Sequence, residues 1–212
     1  FQESLIKAYL QATEWLYGPL AWVYDAIAWL VSFGYWPRWR RDALAYLIPG
    51  NVLETGFGTG SLLMEMRQRK MDVTGIDASW QMQRVTGRKS AGRSLALRRV
   101  CGKVQSLPFA PSIFSNVLST FPTNDIADAD TLAEIQRILV PDGRWVIVGL
   151  GLRFKSRVLQ FLVGWLLGDL DNAWVEKFSQ RAAKAGFICR RVLHDTEAYV
   201  LPIVILEKNH GI

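Results

Sequence analysis

The sequence predicts an α/β fold in which a mostly parallel sheet carries helices on both of its faces. Short apolar runs of strand character alternate with longer segments whose apolar residues recur at helical spacing, and such alternation produces parallel strands. The last two strand-like runs follow each other with no helix between them, so an antiparallel hairpin is expected at the end of the chain. With 212 residues, 50% of them hydrophobic, the chain can form one globular domain with a substantial core.

The N-terminal part is predicted to be helical and to precede the sheet. Residues 3–31 have helical character that is interrupted at Gly18-Pro19. The same stretch is not predicted to cross a membrane, because Asp25 lies in the middle of its apolar residues. We therefore expect a helical extension or lid over residues 1–38 and a main domain over residues 39–212.

Local signals mark the boundaries of the elements in the main domain. A helix over residues 38–47 should end at Pro49-Gly50, and Ser79 is a favourable N-cap for a helix over residues 80–90. Further helices are predicted over residues 61–70, 131–139 and 173–185, with a helical stretch after the fifth strand, a turn at Pro141-Asp142-Gly143 and a stop at Gly186. The strands are predicted over residues 51–53, 72–76, 94–101, 114–119, 145–150, 187–193 and 198–207.

The amino-acid composition restricts the kinds of site and partner that the chain is expected to have. The chain has two cysteines, Cys101 and Cys189, and two histidines, His194 and His210, so neither a disulfide framework nor a metal site is predicted. The net charge is +6, which favours an anionic partner such as a nucleic acid, a membrane surface or a small substrate. A mildly basic enzyme without such a partner is an equally good interpretation.

A glycine-rich turn follows the first predicted strand. In the stretch ETGFGTG, the acid Glu54 precedes Gly56, Gly58 and Gly60, and a helix comes next. Such a turn lets the backbone approach a ligand closely at the N-terminus of the helix. Asp77 ends the second predicted strand, where a carboxylate can accept hydrogen bonds from both hydroxyls of a ribose. The spacing is neither the dinucleotide pattern G-x-G-x-x-G nor a P-loop.

These motifs resemble motif I and its surroundings in the class I S-adenosylmethionine-dependent methyltransferases. The resemblance runs from Tyr24 to the C-terminus and includes GKVQSLPF (102–109), EIQRILVPDGRWVIVG (134–149) and AGF (185–187). It implies a Rossmann-like, seven-stranded, mostly parallel sheet with a C-terminal antiparallel strand and an N-terminal helical lid. It also implies S-adenosyl-L-methionine as cofactor and S-adenosyl-L-homocysteine as product.

The resemblance assigns roles around the cofactor. It implies that Glu54 binds the amino group, that the first two glycines approach the methionine part, and that Asp77 binds the ribose. Trp80 and Met82 resemble the residues that pack on adenine. The full set of cofactor-binding residues that it implies is Glu54, Gly56, Gly58, Gly60, Asp77, Ala78, Met82, Val104, Gln105 and Thr120.

One residue departs from the family pattern. Lys103 stands where the family commonly has an aspartate that accepts a hydrogen bond from the adenine amino group, and a lysine cannot accept one. Either Gln105 or a backbone carbonyl replaces this acceptor, or the affinity for the cofactor is reduced. The alternative interpretations are a non-catalytic binding protein that keeps the fold and, from the positive charge alone, an RNA methyltransferase.

The acceptor is predicted to be small and apolar or lipid-like. YDAIAWLVSFGYWPRWRR (24–41) resembles a segment of the ubiquinone/menaquinone C-methyltransferases and, more loosely, of the bacterial phosphatidylethanolamine N-methyltransferases. Both groups act on lipids, so a phospholipid amine or a quinone-like molecule is expected. The stretch STFPTNDIAD (119–128) differs from the residues that the quinone family has after its fourth strand. The quinone reaction is therefore not assigned from the sequence.

The candidates for catalysis are Tyr24, Asp25 and Asn124, with Asp125 and His194 as weaker ones. Each of them has an equally good structural interpretation: a core aromatic for Tyr24, a cap or ion-pair partner for Asp25, and helix caps for Asn124 and Asp125. A reactive sulfonium does not require a strong base, although a carbon or ammonium acceptor must lose a proton.

Two segments are candidates for peripheral membrane contact in a cytoplasmic protein. Trp15, Trp22 and Trp29 recur every seven residues, and RFKSRVLQFLVGWLLG (153–168) joins cations to an apolar stretch that contains a tryptophan. The alternative is that the two segments pack on each other as a lid. The basic run over residues 84–103 could attract lipid headgroups or RNA, or be a solvated face; without an RNA-binding module, nucleic acid is not the expected partner.

Overall fold

The structure is a computed structural model that describes residues 29–30, 32–157, 160 and 172–209. Several predictions fall outside these residues. They concern the helical material before residue 29, the candidates Tyr24 and Asp25, and most of the helical stretch after the fifth strand.

Within the described residues, eight strands form one sheet: β1 (Val52–Thr55), β2 (Val73–Asp77), β3 (Arg98–Cys101), β4 (Phe114–Thr120), β5 (Leu139–Val148), β6 (Arg153–Phe154), β7 (Phe187–Asp195) and β8 (Tyr199–Lys208). Their order is β3-β2-β1-β4-β5-β8-β6, and β7 also pairs with β8. The pairs among the first five strands are parallel, whereas β8 is antiparallel to β5, β6 and β7.

The helices within the described ranges connect these strands. They are α1 (Trp36–Asp42), α2 (Ser61–Gln68), α3 (Trp80–Ala91), α4 (Ala129–Ile138) and α5 (Asn172–Lys184), with short 3-10 helices at Ala43–Tyr46 and Asn124–Ala127. Ser79 caps α3 as predicted, because its hydroxyl accepts a hydrogen bond from the backbone N–H of Met82 at 3.2 Å. None of these helices is long and apolar enough to cross a membrane.

The predicted fold class is confirmed: the sheet is mostly parallel and ends in antiparallel strands. The predicted number of seven strands was wrong, because β6 adds an eighth. This strand is only two residues long and pairs with Tyr199 and Val200 of β8, so it has no local sequence signature.

Three predicted boundaries also differ from the structure. The helix predicted over residues 38–47 begins at Trp36, with Pro37 in its first turn, and becomes a 3-10 helix at Ala43. The third strand is half as long as predicted. The predicted turn at Pro141-Asp142-Gly143 lies within β5, where the pairing with β4 passes from Leu139 to Arg144 and the intervening residues bulge out.

Two apolar layers cover the two faces of the sheet. Val146 and Val148 belong to the layer beneath α1 and α2, whereas Trp145 and Ile147 belong to the layer beneath α4 and α5. Residues 201–206 of β8 are all buried, as expected for a strand that is covered on both faces. This sheet fixes the ends of β1, β2 and β4, where the glycine turn and its neighbours lie.

Candidate functional site

The crevice of the fold lies at the carboxyl ends of β1 and β4. The chain runs outward from β1 to β2 and β3, and then returns to place β4 on the other side of β1. Ligands of open α/β sheets bind at such a switch point. Thr55 pairs with Ser119 at this position, and their hydroxyl oxygens lie 2.6 Å apart.

The glycine turn leads from β1 into α2 and has two distinct parts. A Cβ atom placed on Gly56 or Gly58 would meet no heavy atom within 4 Å, so both residues border open space. A Cβ atom on Gly60 would lie 2.3 Å from Cγ2 of Thr86 in α3. The first two glycines therefore leave room for a ligand, whereas Gly60 allows two helices to pack closely.

Asp77 ties the ends of β1 and β2 together. Its Oδ2 accepts a hydrogen bond from the N–H of Gly58 at 2.7 Å, and its Oδ1 accepts one from the N–H of Ser79 at 2.8 Å. Burial raises the pKa of this carboxyl, and the two backbone donors counteract part of that rise. Each oxygen can accept a second hydrogen bond, so the carboxylate can still bind two hydroxyls.

Glu54 is buried at the end of β1, with 1% of its surface exposed. Its Oε2 atom has no hydrogen-bond partner among the residues that the structure describes. Burial raises the pKa of Glu54 to about 8, the positive charge of Arg40 opposes the rise, and the negative charge of Asp77 adds to it. A buried carboxyl with an unsatisfied oxygen is costly to the fold, and a cationic ligand group would remove that cost.

Arg40 is the residue of this site that sequence reasoning missed. It lies on α1, its Nε is buried without a hydrogen-bond partner in the described part of the chain, and its charge acts on Glu54. It also borders a cavity of about 530 Å³ between α1 and α2, which is lined by Trp29, Trp36, Pro37, Arg40, Ser61, Leu62 and Glu65. Helical spacing in the sequence could have indicated Arg40. It lies four residues after Trp36 and one residue after Trp39, which is buried.

Comparisons with known proteins agree with this geometry. Residues 52–143 match the model of a methyltransferase domain family. The demethylmenaquinone methyltransferase of Thermus thermophilus is 31% identical over 171 residues, which are 73% of this chain and 78% of that protein. The chain belongs to the S-adenosylmethionine-dependent methyltransferases. Its cofactor is therefore S-adenosyl-L-methionine, and it is an enzyme of the class I fold.

The alignments with other relatives of the methyltransferase cover a smaller share of each chain. The ubiquinone/menaquinone biosynthesis C-methyltransferase of Geotalea daltonii is 31% identical over 128 residues, so the chain spans 54% of that protein's length. Among solved structures, a Methanococcus maripaludis protein described as an S-adenosylmethionine-dependent methyltransferase aligns with a TM-score of 0.66 and 20% identity. The alignment covers 89% of this chain and 91% of that one. Phosphoethanolamine N-methyltransferase 2 of Haemonchus contortus aligns with a TM-score of 0.64 and 18% identity, over 84% of this chain and 53% of that one. At these identities the likeness shows the fold alone.

The residues of the methyltransferase fit its cofactor. The unsatisfied Oε2 of Glu54 and the cation of Arg40 suit the two charged groups of an amino acid, and the space over Gly56 and Gly58 suits the chain that bears them. The described residues contain no cluster of His, Cys, Asp or Glu that could hold a metal ion.

The adenine side of the methyltransferase is built from α3 and the segment after β3. Met82 is fully buried, whereas Ala78 is exposed and 63% of the surface of Trp80 is exposed. Gln83 fixes the adjoining strand ends, because its amide nitrogen donates to the carbonyl oxygens of Asp77 at 3.3 Å and Val100 at 2.6 Å. Met82 can thus form the floor of an adenine pocket, and Trp80 can cover it.

The segment that carries Lys103 lies beside this pocket. The side chain of Lys103 is exposed, and Val104 packs partly against the apolar layer. The amide nitrogen of Gln105 donates to Oδ2 of Asp125 at 3.4 Å and to Oδ2 of Asp128 at 3.3 Å. The amide oxygen of Gln105 is then the atom that can accept a hydrogen bond in place of the missing aspartate.

At the carboxyl end of β4, Thr120 is the last residue of the strand and is partly buried. Asn124 begins the 3-10 helix Asn124–Ala127, and the hydroxyl of Thr123 donates to the carboxylate of Asp125. The 3-10 helix is tied to α4, because the hydroxyl of Thr131 donates to the backbone carbonyl of Asp125 at 2.8 Å. These residues therefore form an ordered segment directly after the crevice strand.

His194 is not brought to the crevice. It lies on β7, and the strands β4, β5 and β8 separate it from β1. Neighbouring strands lie about 4.8 Å apart, so the four steps from β1 to β7 amount to roughly 19 Å. Its Nε2 lies 2.5 Å from the hydroxyl of Tyr46, and its Nδ1 lies 3.8 Å from Oδ2 of Asp42. These contacts fasten the end of α1 to the sheet, so a structural role accounts for the residue.

Proposed function

We propose that the methyltransferase transfers a methyl group from S-adenosyl-L-methionine to a small apolar or lipid-like acceptor of the quinone-like type. The observation that carries the acceptor class is the similarity to the demethylmenaquinone methyltransferase of Thermus thermophilus over 73% of this chain. Four apolar residues line the cavity beside Arg40 and support an apolar acceptor; they are Trp29, Trp36, Pro37 and Leu62.

We assign the cofactor contacts from the site geometry. Glu54 binds the amino group, Arg40 binds the carboxylate, and the backbone at Gly56 and Gly58 borders the chain between them. Asp77 binds the ribose hydroxyls, and Gln105 accepts from the adenine amino group. The other cofactor contacts that the family resemblance implies, at Gly60, Ala78, Met82, Val104 and Thr120, stay predictions.

The bound cofactor supplies an electrophilic methyl group carried on a positively charged sulfur. The protein contributes orientation and the exclusion of water, because a nucleophile must be aligned with that methyl group in a dry site. A ring carbon that accepts the methyl group must also lose its proton. We propose Tyr24, Asp25 and Asn124 as the residues on the acceptor side; the first two lie outside the described residues, and Asn124 follows the end of β4.

We also propose that the protein contacts a membrane surface peripherally, since its acceptor is lipid-like. Three large apolar side chains just before α1 are exposed: Trp29 by 57%, Leu30 by 68% and Phe33 by 52%. They continue the tryptophan-rich N-terminal segment, which together with residues 153–168 is a candidate for membrane contact from the sequence. Residues 1–38 remain a proposed lid, whose last residues overlap the first turn of α1.

The test begins with calorimetric titration of S-adenosyl-L-methionine and S-adenosyl-L-homocysteine into the full chain. Micromolar binding that Asp77→Ala abolishes would support the proposed cofactor contacts. Formation of S-adenosyl-L-homocysteine would then be measured with two acceptors, a short-chain demethylnaphthohydroquinone and phosphatidylethanolamine. Turnover with the hydroquinone alone supports the proposal, whereas turnover with phosphatidylethanolamine alone overturns the quinone-like assignment.

A further inference from the structure

The side chain of Gln105 connects two segments that follow different strands of the sheet. Gln105 lies after β3, and its amide nitrogen donates to Oδ2 of Asp125 at 3.4 Å and to Oδ2 of Asp128 at 3.3 Å. Both aspartates follow β4, and in the sheet β2 and β1 lie between β3 and β4. The contact therefore passes across the carboxyl ends of the two strands that carry Glu54 and Asp77.

Backbone contacts hold the segment of Gln105 on both sides of that residue. The N–H of Gly102, directly after β3, donates to the carbonyl oxygen of Asp77 at 3.2 Å. The N–H of Leu107 donates to Oε2 of Glu134 in α4 at 2.6 Å. These contacts place Gln105 beside the end of β2, and the two aspartates then set the orientation of its amide.

The aspartates determine which end of the Gln105 amide is free. An ionised carboxylate accepts hydrogen bonds and cannot donate them, so Asp125 and Asp128 both require the NH2 group and not the oxygen. The NH2 group has two hydrogens, one for each carboxylate. The amide oxygen accepts no hydrogen bond from the residues that the structure describes, so it is the polar atom left for a ligand.

Each aspartate is also arranged for this contact. Oδ1 of Asp125 accepts a hydrogen bond from the hydroxyl of Thr123, which leaves Oδ2 for Gln105. Asp128 is the N-cap residue of α4, yet its side chain makes no capping hydrogen bond. An aspartate at this position ordinarily accepts a hydrogen bond from the first turn of its own helix. The carboxylate of Asp128 contacts Gln105 instead, which the stability of α4 does not require.

We propose that Asp125 and Asp128 are positioning residues that select adenine in the cofactor site, because they turn the amide oxygen of Gln105 toward the base. The 6-amino group of adenine donates to this oxygen, whereas the 6-oxo group of hypoxanthine faces it as a second acceptor. This inference rests on the cofactor contacts of the proposed function and specifies them. The pair performs, through Gln105, the task of the aspartate that Lys103 replaces.

The experiment measures the affinity of the full chain for S-adenosyl-L-homocysteine and for S-inosyl-L-homocysteine by calorimetric titration. The two ligands differ only in the base, where the second has a 6-oxo group and a proton on N1. We expect the wild type to prefer the adenine ligand by roughly thirtyfold or more, because the other ligand loses a hydrogen bond and brings two acceptors together.

Asp125→Asn combined with Asp128→Asn should lower this preference at least about fivefold. An asparagine both donates and accepts, so the Gln105 amide can turn over and offer its NH2 group to the 6-oxo group. S-inosyl-L-homocysteine should therefore bind more tightly than it does to the wild type, and S-adenosyl-L-homocysteine more weakly. A purely structural role would weaken both ligands equally and leave their ratio unchanged.

The substitutions are chosen to preserve the fold. Asparagine is as good an N-cap as aspartate, so α4 keeps its first residue. Asp128→Asn alone changes an exposed residue and should show part of the same effect, which keeps the test open if the double variant does not fold. The matched control is Asp130→Asn combined with Asp142→Asn, which removes the same charge at two exposed residues and should keep the wild-type preference.

Two further variants test whether the aspartates act through Gln105. Gln105→Leu should also lower the preference, and adding the two asparagine substitutions to it should change the ratio no further. Lys103→Asp, which supplies the acceptor of the family pattern, should restore the preference in the double asparagine variant.

The outcomes separate this inference from the proposed function. An unchanged ratio in the double asparagine variant, or a wild-type ratio in Gln105→Leu, overturns the inference even if the protein methylates a quinone-like acceptor. A ratio that falls as expected supports the inference even if no acceptor is methylated, in which case the proposed function alone fails. No binding of either ligand to the folded wild type overturns both.

Discussion

Glu54 binds a proton much more tightly in the folded chain than in the unfolded chain. Its pKa is about 8 in the folded protein, against an ordinary value of 4.5, because burial disfavours the charged form. At about pH 6.5 the carboxyl is therefore protonated before the cofactor binds. The cofactor's ammonium group favours the carboxylate, so we expect binding to release close to one proton. Calorimetric titrations of S-adenosyl-L-homocysteine in buffers with different ionisation enthalpies measure this number.

Glu54→Gln is the control for this proton release. The amide has nearly the same shape and carries no proton that could be lost, so the variant should bind more weakly and release no proton at the same pH. Equal proton release by the two proteins would show that the proton comes from another group, and the assignment of the amino group to Glu54 would then be wrong.

The raised pKa of Glu54 also predicts how the stability of the cofactor-free protein depends on pH. Between about pH 4.5 and 8 the folded state keeps a proton that the unfolded chain has lost, so the free energy of unfolding falls as the pH rises. The contribution of this one group is roughly 1.4 kcal/mol for each pH unit in that window. Urea denaturation at several pH values should therefore show a smaller fall for Glu54→Gln than for the wild type. Parallel curves for the two proteins would contradict the burial of a protonated carboxyl.

At the scale of the element, the turn between β1 and α2 combines a ligand contact with a packing contact. In Gly58→Ala the new methyl group projects into open space, so the protein should fold with a loss of about 1–2 kcal/mol from the left-handed backbone. The cofactor needs that space, and its affinity should fall at least about tenfold. In Gly60→Ala the methyl group meets Thr86 at 2.3 Å, so the main effect should be lost stability. Urea denaturation and calorimetric titration of both variants separate the two effects.

A double variant tests the packing part of this interpretation. Thr86→Ser removes the Cγ2 atom nearest to the new methyl group and keeps the hydroxyl that donates to the carbonyl of Gly58 at 3.0 Å. Gly60→Ala combined with Thr86→Ser should therefore recover part of the stability that Gly60→Ala loses. If the two changes are additive, the crowding between the turn and α3 is not the cause of the loss.

The sequence predicts the elements around the crevice well because their signals are local. The N-cap at Ser79, the acid that ends β2 and the glycine turn each lie within a few residues of the boundary that they mark. The features that were missed depend on distant partners. Arg40 acts on a carboxyl on another element, and Asp125 and Asp128 accept hydrogen bonds from Gln105 in the segment after β3.

The positive charge of the whole molecule is concentrated in one part of the fold. The stretch over residues 78–124 contains seven lysines and arginines and no aspartate or glutamate. Since the net charge is +6, the rest of the chain has a net charge of 6 − 7 = −1. The cations lie on α3, on β3 at the edge of the sheet and on the flanking loops, and they are Arg84, Arg88, Lys89, Arg93, Arg98, Arg99 and Lys103.

This asymmetry bears on the proposed peripheral contact with a membrane. Arg84 and Arg88 are exposed one turn apart on α3, and each cation near an anionic surface contributes about 1 kcal/mol. We expect the full chain to bind vesicles of phosphatidylglycerol and phosphatidylcholine more tightly than pure phosphatidylcholine vesicles, and the difference to shrink as salt is added. Arg84→Glu combined with Arg88→Glu should weaken that binding by roughly thirtyfold or more.

The matched control places the same charge change at the other end of the sheet. Lys177 and Lys184 are exposed on α5, which packs beside β7, whereas α3 packs beside β3 at the opposite edge. Lys177→Glu combined with Lys184→Glu alters the net charge by the same amount, so a purely global charge effect would weaken vesicle binding equally in both variants. Cosedimentation with vesicles at two salt concentrations distinguishes the cases. A loss confined to the α3 variant assigns the membrane contact to this edge, and an equal loss in both variants rejects it.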